Sequence, residues 1–244
     1  MNNHRIKAIF FDLDGTLRHS VPEGAQVFDE YLISLGCPIN EEDRRRAMRW
    51  EYLYWANSPD LRDDLLAHSA DTENFWIEYT RRRLVAVGLS PASAKELAPQ
   101  VSAHMGEMYK PESIVPHDAR RLLPALKEAG YLMAVVSNRD QPFHELLASH
   151  NLSEFFHFAL AGGEVDSYKP EPGIFQHALE RASVAAQETV YVGDNYFADI
   201  VGARRAGLHP VLYDPNGIFP EADCTTIKSF DELNAVIETF DTTP

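Results

Sequence analysis

Two aspartates one residue apart, Asp12 and Asp14, close the short apolar run Ile9-Phe10-Phe11 and are followed by Gly15 and Thr16. A continuous apolar run of this length reads as a strand buried on both faces, and strands of that kind carry ligand sites beyond their carboxyl ends. Paired carboxylates placed there can serve as a nucleophile, as an acid and base, or as oxygen ligands for a divalent cation. Alone they read equally well as a solvated Asp-Gly turn. Other polar groups stand at comparable places: Ser137-Asn138 after the apolar run Tyr131–Val136, and Asp194 after Thr189–Val192, with Asp199 five residues on. Lys169 lies in the loop Tyr168-Lys169-Pro170-Glu171-Pro172, which its prolines are expected to hold extended. In one parallel sheet these strand ends are neighbours, so the polar residues converge on one site.

The elements that must bring them together alternate. After about Pro111, strands at Tyr131–Val136, Phe156–Leu160, Thr189–Val192, Pro210–Tyr213 and Cys224–Ile227 are separated by helical patterns. The helices include Leu122-Leu123-Leu126 up to Gly130, with Pro124 expected to kink the helix or mark its first turn, and one from Pro172 to Ala182. Ser229 and Glu232 form a capping box for a last helix. Such alternation predicts an α/β fold, a Rossmann-like parallel sheet with helices on both faces. Between about Ser20 and Pro111 strand signals vanish. Helices are expected around Val27–Leu35, at Glu41–Asn57, at Asp71–Gly88 and from Pro91 onward. This stretch is too long for a loop and predicts an inserted α-helical cap domain over residues 20–111, with residues 1–19 and 112–244 forming the core.

A formal charge of -15 argues against a nucleic-acid partner, which would require a basic face. Cys37 and Cys224 stand apart without metal-ligand or redox spacing, the usage of a reducing compartment. No signal peptide, anchor or membrane span is visible, so the expected location is cytoplasmic and the expected state a monomer or homodimer.

The polar segments resemble the four motifs of the haloacid dehalogenase-like hydrolase superfamily. The first is Asp12-Leu13-Asp14-Gly15-Thr16, the second Val135-Val136-Ser137-Asn138, the third Lys169-Pro170, and the fourth Gly193-Asp194 with Asp199. The match spans the whole core, and the helical insertion stands where a cap follows the first motif. The resemblance implies hydrolysis of a small phosphorylated metabolite through an aspartyl phosphate on Asp12. Asp14 would protonate the leaving alcohol and then take a proton from water. It further implies Mg²⁺ held by the side chains of Asp12 and Asp194 and the backbone carbonyl of Asp14. Ser137 and the backbone N–H of Asn138 would bind phosphoryl oxygens, with Lys169 offsetting charge on Asp12 and on those oxygens. Thr16 and Asp199 are supporting residues, Asp199 holding a metal-bound water or orienting Lys169. The chemistry is consistent: like charges ~4 Å apart repel by about 4 kcal/mol per pair at an effective dielectric of 20, so a carboxylate cluster needs a divalent cation to receive a phosphate dianion.

Arg18-His19-Ser20 occupies a stretch where many capped relatives carry a further aspartate, and His19 reads as a satisfied hinge histidine. The runs Arg44-Arg45-Arg46 and Arg81-Arg82-Arg83 read as solvated helix faces, and Trp50, Tyr52, Tyr54, Trp55 and Trp76 as cap core. A phosphomutase would use the same core residues. A phospho-accepting module would hold its phosphate, but lacks the Asp-x-Asp pair and the insertion. Dehalogenation is disfavoured because Asp14 supplies an acid/base that it does not require.

Overall fold

The computed structural model describes residues 6–242; residues 1–5 and 243–244 of the predicted core lie outside it. The chain forms two compact units, Met1–His19 with Ile114–Pro244, and Ser20–Ser113. In chain order the strands are β1 (Ala8–Phe11), β2 (His19–Val21), β3 (Glu112–Ile114), β4 (Leu132–Ser137), β5 (Phe158–Ala161), β6 (Thr189–Gly193), β7 (His209–Tyr213) and β8 (Thr225–Ile227). Six of them make one sheet in the order β5-β4-β1-β6-β7-β8, with parallel pairings. The short strands β2 and β3, absent from the sequence expectations, form a separate two-stranded sheet in which the unit boundaries fall.

The first unit is built on the period-2 alternation of its strands. Ile9 and Phe11 of β1 face one side with Met133, Val135, Val190 and Val192, packed by Leu122, Leu123, Leu126, Leu147, Leu233 and Ile237. Ala8 and Phe10 face the other with Ala134, Val136 and Tyr191, covered by Ile174, Phe175, Ala178 and Ala203. Phe10 and Phe11 are wholly buried, each worth roughly 1.5–3 kcal/mol relative to exposure. Helices therefore cover both faces of a parallel sheet, as a near-continuous apolar β1 requires. Pro124 sits inside the helix His117–Glu128 rather than at its first turn.

The second unit is helical: α1 (Gly24–Ser34), α2 (Glu41–Trp55), α3 (Pro59–Ala67), α4 (Thr72–Val87) and α5 (Pro91–Met108). Helix α3 was not expected. Asn57-Ser58-Pro59 reads as a stop for α2, yet Ser58 Oγ accepts the Leu61 N–H and Pro59 opens the next helix. The arginine runs are only partly solvated. Arg44 pairs with Asp29 at 3.0 Å, and Arg82 Nη2 donates to Asp64 Oδ1 at 2.9 Å. Arg83 is 3% exposed and paired with Glu51, with its guanidinium 4.5 Å from the Phe28 ring centroid; the desolvated site and its carboxylate explain why this arginine left the surface. Tyr54 is buried, whereas Trp55 and Trp76 are 36% and 44% exposed, so the aromatic cluster is core on one side only.

Candidate active site

The sheet register sets the site. Phe11, the last residue of β1, pairs with Val135 and Val192, so the chains leave the sheet side by side at Asp12, at Ser137 and at Asp194. Asp12 takes one more sheet bond, its N–H donating to the Val192 carbonyl at 2.8 Å. Asp12, Asp194 and Asp199 form a buried cluster whose carboxylate oxygens lie within 4.8 Å of one another. Two glycines make this approach possible. Gly15 has φ +92°, and a Cβ there would stand 2.1 Å from Asp194 Oδ2. A Cβ on Gly193 would stand 2.3 Å from Asp199 Cγ. Thr16 locks Asp194 in both directions, its Oγ1 donating to Asp194 Oδ1 at 2.9 Å and accepting the Asp194 N–H at 3.0 Å.

Asp199 stands in a wide π-type turn, Tyr196–Ile200, of the sort that collects at functional sites. Its Oδ2 accepts the Asn195 N–H at 2.9 Å, and it is 1% exposed. Lys169, 2% exposed, donates to Asp12 Oδ1 at 2.5 Å and to Asp199 Oδ1 at 2.7 Å. The loop that carries Lys169 is a turn, not the extended run expected from its prolines, because the Glu171 N–H donates back to the Tyr168 carbonyl at 2.9 Å. Asn138 fixes that turn with its side chain: Oδ1 accepts the Lys169 N–H at 2.6 Å and Nδ2 donates to the Lys169 carbonyl at 2.9 Å. Its side chain thus positions Lys169, a contact that sequence reasoning did not foresee. Ser137 lies buried at the end of β4.

Asp14 turns away from the cluster. Arg139 grips it with both edges of its guanidinium, Nε to Oδ2 at 2.8 Å and Nη2 to Oδ1 at 2.9 Å, and Arg18 Nη1 donates to Oδ1 at 2.7 Å. Neither arginine was assigned to the site from sequence. His19 Nε2 lies 3.0 Å from the Thr16 carbonyl, the satisfied hinge histidine expected.

The electrostatics divide accordingly. Burial pushes the Asp12 carboxyl up to about 7 against the pull of Lys169, with Asp199 adding to the rise. Burial, then Asp12 and Asp199, push Asp194 well above the usual carboxylate range. Burial would lower Lys169, but Asp12 and Asp199 outweigh it and hold the ammonium well above its ordinary value. Asp14 is the reverse of Asp12: burial acts upward, yet the Arg139 and Arg18 hydrogen bonds and charges hold it below the usual range. Three carboxylates around one ammonium leave two negative charges when ionised, and an all-oxygen donor set of that charge fits a hard divalent cation.

Comparison with known proteins agrees with this geometry. A family model described as haloacid dehalogenase-like hydrolase matches residues 6–207. A phosphoglycolate phosphatase of Vibrio parahaemolyticus is 31% identical over 209 residues, 85% of this chain and 83% of the relative. One of Vibrio cholerae is 26% identical over 243 residues, 96% of each chain. Among solved structures, a HAD phosphatase from Thermococcus onnurineus shares 26% identity and a TM-score of 0.55, covering 95% of this chain and 98% of its own. With the motifs seated at adjacent strand ends of a parallel sheet, the chain belongs to the haloacid dehalogenase-like hydrolases and is a hydrolase of that family.

Proposed function

We propose that the protein is a Mg²⁺-dependent phosphatase acting on a small phosphorylated metabolite through an aspartyl phosphate on Asp12. The observation that carries this reading is the buried cluster of Asp12, Asp194 and Asp199, in which the Lys169 ammonium donates to Asp12 and Asp199. Side chains of Asp12 and Asp194, with the Asp14 backbone carbonyl, would hold the cation, and Asp199 belongs to the same cluster. Bound there, Mg²⁺ supplies charge neutralisation for carboxylates and phosphate brought together.

The chain's own residues account for the rest. Asp12 attacks phosphorus: an Asp12 oxygen–phosphorus bond forms, the ester oxygen–phosphorus bond breaks, and the leaving oxygen takes a proton from Asp14. Water then cleaves the acyl phosphate, giving its proton to Asp14. The ion pairs of Asp14 favour its base form, so protonating the leaving oxygen requires it to loosen at least one arginine. Ser137 and the Asn138 N–H receive phosphoryl oxygens, while Lys169 balances their charge. All these residues lie outside the helical unit, to which we assign the discrimination between leaving groups. Phosphoglycolate, named by two relatives, heads the substrates to try. The reading is tested by phosphate release from a panel of phosphorylated metabolites, with Mg²⁺ and after metal stripping in excess EDTA. Release from at least one ester that depends on Mg²⁺ supports it; no release from any, or undiminished release in EDTA, refutes it.

A further inference from the structure

We propose that Tyr191 is a positioning residue for Lys169, its phenol oxygen taking one N–H of the ammonium so that the other two stay aimed at Asp12 and Asp199. The inference rests on the assignment of Asp12 and Lys169 above.

The donor arithmetic is closed. An ammonium has three N–H bonds and accepts none. Around Lys169 Nζ stand Asp12 Oδ1 at 2.5 Å, Asp199 Oδ1 at 2.7 Å, the Tyr191 oxygen at 3.0 Å and the Val136 carbonyl at 3.2 Å. Four acceptors compete for three protons. The phenol resolves the competition because a hydroxyl both accepts and donates. Its own proton goes to the Val136 carbonyl at 2.9 Å, better placed than Asp199 Oδ1 at 3.3 Å. The carbonyl is thereby satisfied, and the ammonium is left to the two carboxylates and the phenol. Without the hydroxyl, the third N–H is left to the Val136 carbonyl at 3.2 Å, and the hold that β6 exerts on Nζ against a shift toward β4 is lost.

Tyr191 is built to hold this place. It lies on β6 between β1 and β7, is 0% exposed, and meets the Phe175 ring edge-on at 5.0 Å. Burial pushes its phenol well above the ordinary value against the pull of Lys169, with Asp199 and Asp12 adding to the rise, so the proton stays on the oxygen. When Asp12 becomes an acyl phosphate it loses its negative charge, and Asp199 and Tyr191 are the partners that still fix Lys169 beside the transferred group.

The test is Tyr191→Phe in the full chain, assayed with an aryl phosphate in saturating Mg²⁺, alone and in a Lys169→Met background. The expected result is a fall in kcat of about 10- to 100-fold, the size expected of a lost hydrogen bond to a charged group, with KM within about twofold and little change in Tm. In the Lys169→Met background the same substitution has no further effect, because the residues act as one unit. Phe175→Leu serves as the packing control, lowering Tm while leaving kcat within about twofold. Three results overturn the proposal: kcat of Tyr191→Phe within twofold of the parent, equal losses with and without Lys169, or failure of Tyr191→Phe to fold, which would make the phenol a fold determinant. Absence of any activity in the parent chain refutes the phosphatase reading itself and is seen before a variant is made.

Discussion

Arg139 and Asp14 are joined through both oxygens of the carboxylate and two nitrogens of the guanidinium, at 2.8 and 2.9 Å, across 125 positions of sequence. A two-point pair of this kind fixes direction as well as charge. Asp14 therefore stands ionised and held by its arginines, while Lys169 fixes the nucleophile separately. Asp14→Asn removes an acid and base worth about 10²–10⁴ in rate. Alkyl phosphates are expected to lose that much turnover. With an aryl phosphate, whose leaving group requires no proton, the variant should give one burst of aryl alcohol and then stall. Unchanged steady-state turnover on alkyl phosphates would remove Asp14 from this role. Arg139→Ala should lower aryl phosphate turnover about tenfold, the size of a lost supporting contact, and rapid-quench kinetics read which step slows.

Gly15 makes a second prediction. Its φ is +92°, and a side chain would have to begin 2.1 Å from Asp194 Oδ2, where there is no room for a carbon atom. Gly15→Ala should displace Asp194, costing about 1–3 kcal/mol in backbone strain alone, which lowers Tm by roughly 2–4 °C for each kcal/mol. Mg²⁺ titration of activity should shift to much higher concentration. A variant with the parent's Mg²⁺ dependence would show that Asp194 does not hold the cation.

Asp118 supplies a pH dependence away from the site. Burial acts upward on it, but the Ser229 hydroxyl at 2.7 Å and the Phe230 N–H at 2.9 Å hold its carboxyl below the ordinary 3.8. A carboxyl depressed in the folded state stabilises it above the unfolded value, and the contribution disappears as pH falls through the folded value. Asp118→Asn should therefore lower Tm at neutral pH and converge with the parent in acid, below about pH 3.8. Parallel Tm curves across that range would contradict the assignment.

The strand pattern and the residues at strand ends were legible because both are local: an apolar run followed by a polar residue is written within ten positions. Asp12, Asp194, Asp199 and Lys169 meet as their places in that pattern implied. Arg139 was hidden because its partner is 125 positions away, and Tyr191 because an aromatic inside a strand reads as packing alone. Asn138 was read for its backbone, while its side chain clamps Lys169. Helix α3 was lost because Ser58-Pro59 ends one helix and caps the next in the same residues. Arg83 left no trace either, since burial of a charge is decided by tertiary partners such as Glu51.

A covalent phosphoryl group on Asp12 can be trapped. During turnover of an aryl phosphate with Mg²⁺, the Asp14→Asn protein is acid-quenched, reduced with borohydride and digested for mass spectrometry. An acyl phosphate is reduced to the alcohol, so homoserine is expected in place of aspartate at position 12 and at no other acidic residue. An unmodified Asp12 in protein quenched during turnover, or reduction at another carboxylate, would contradict it.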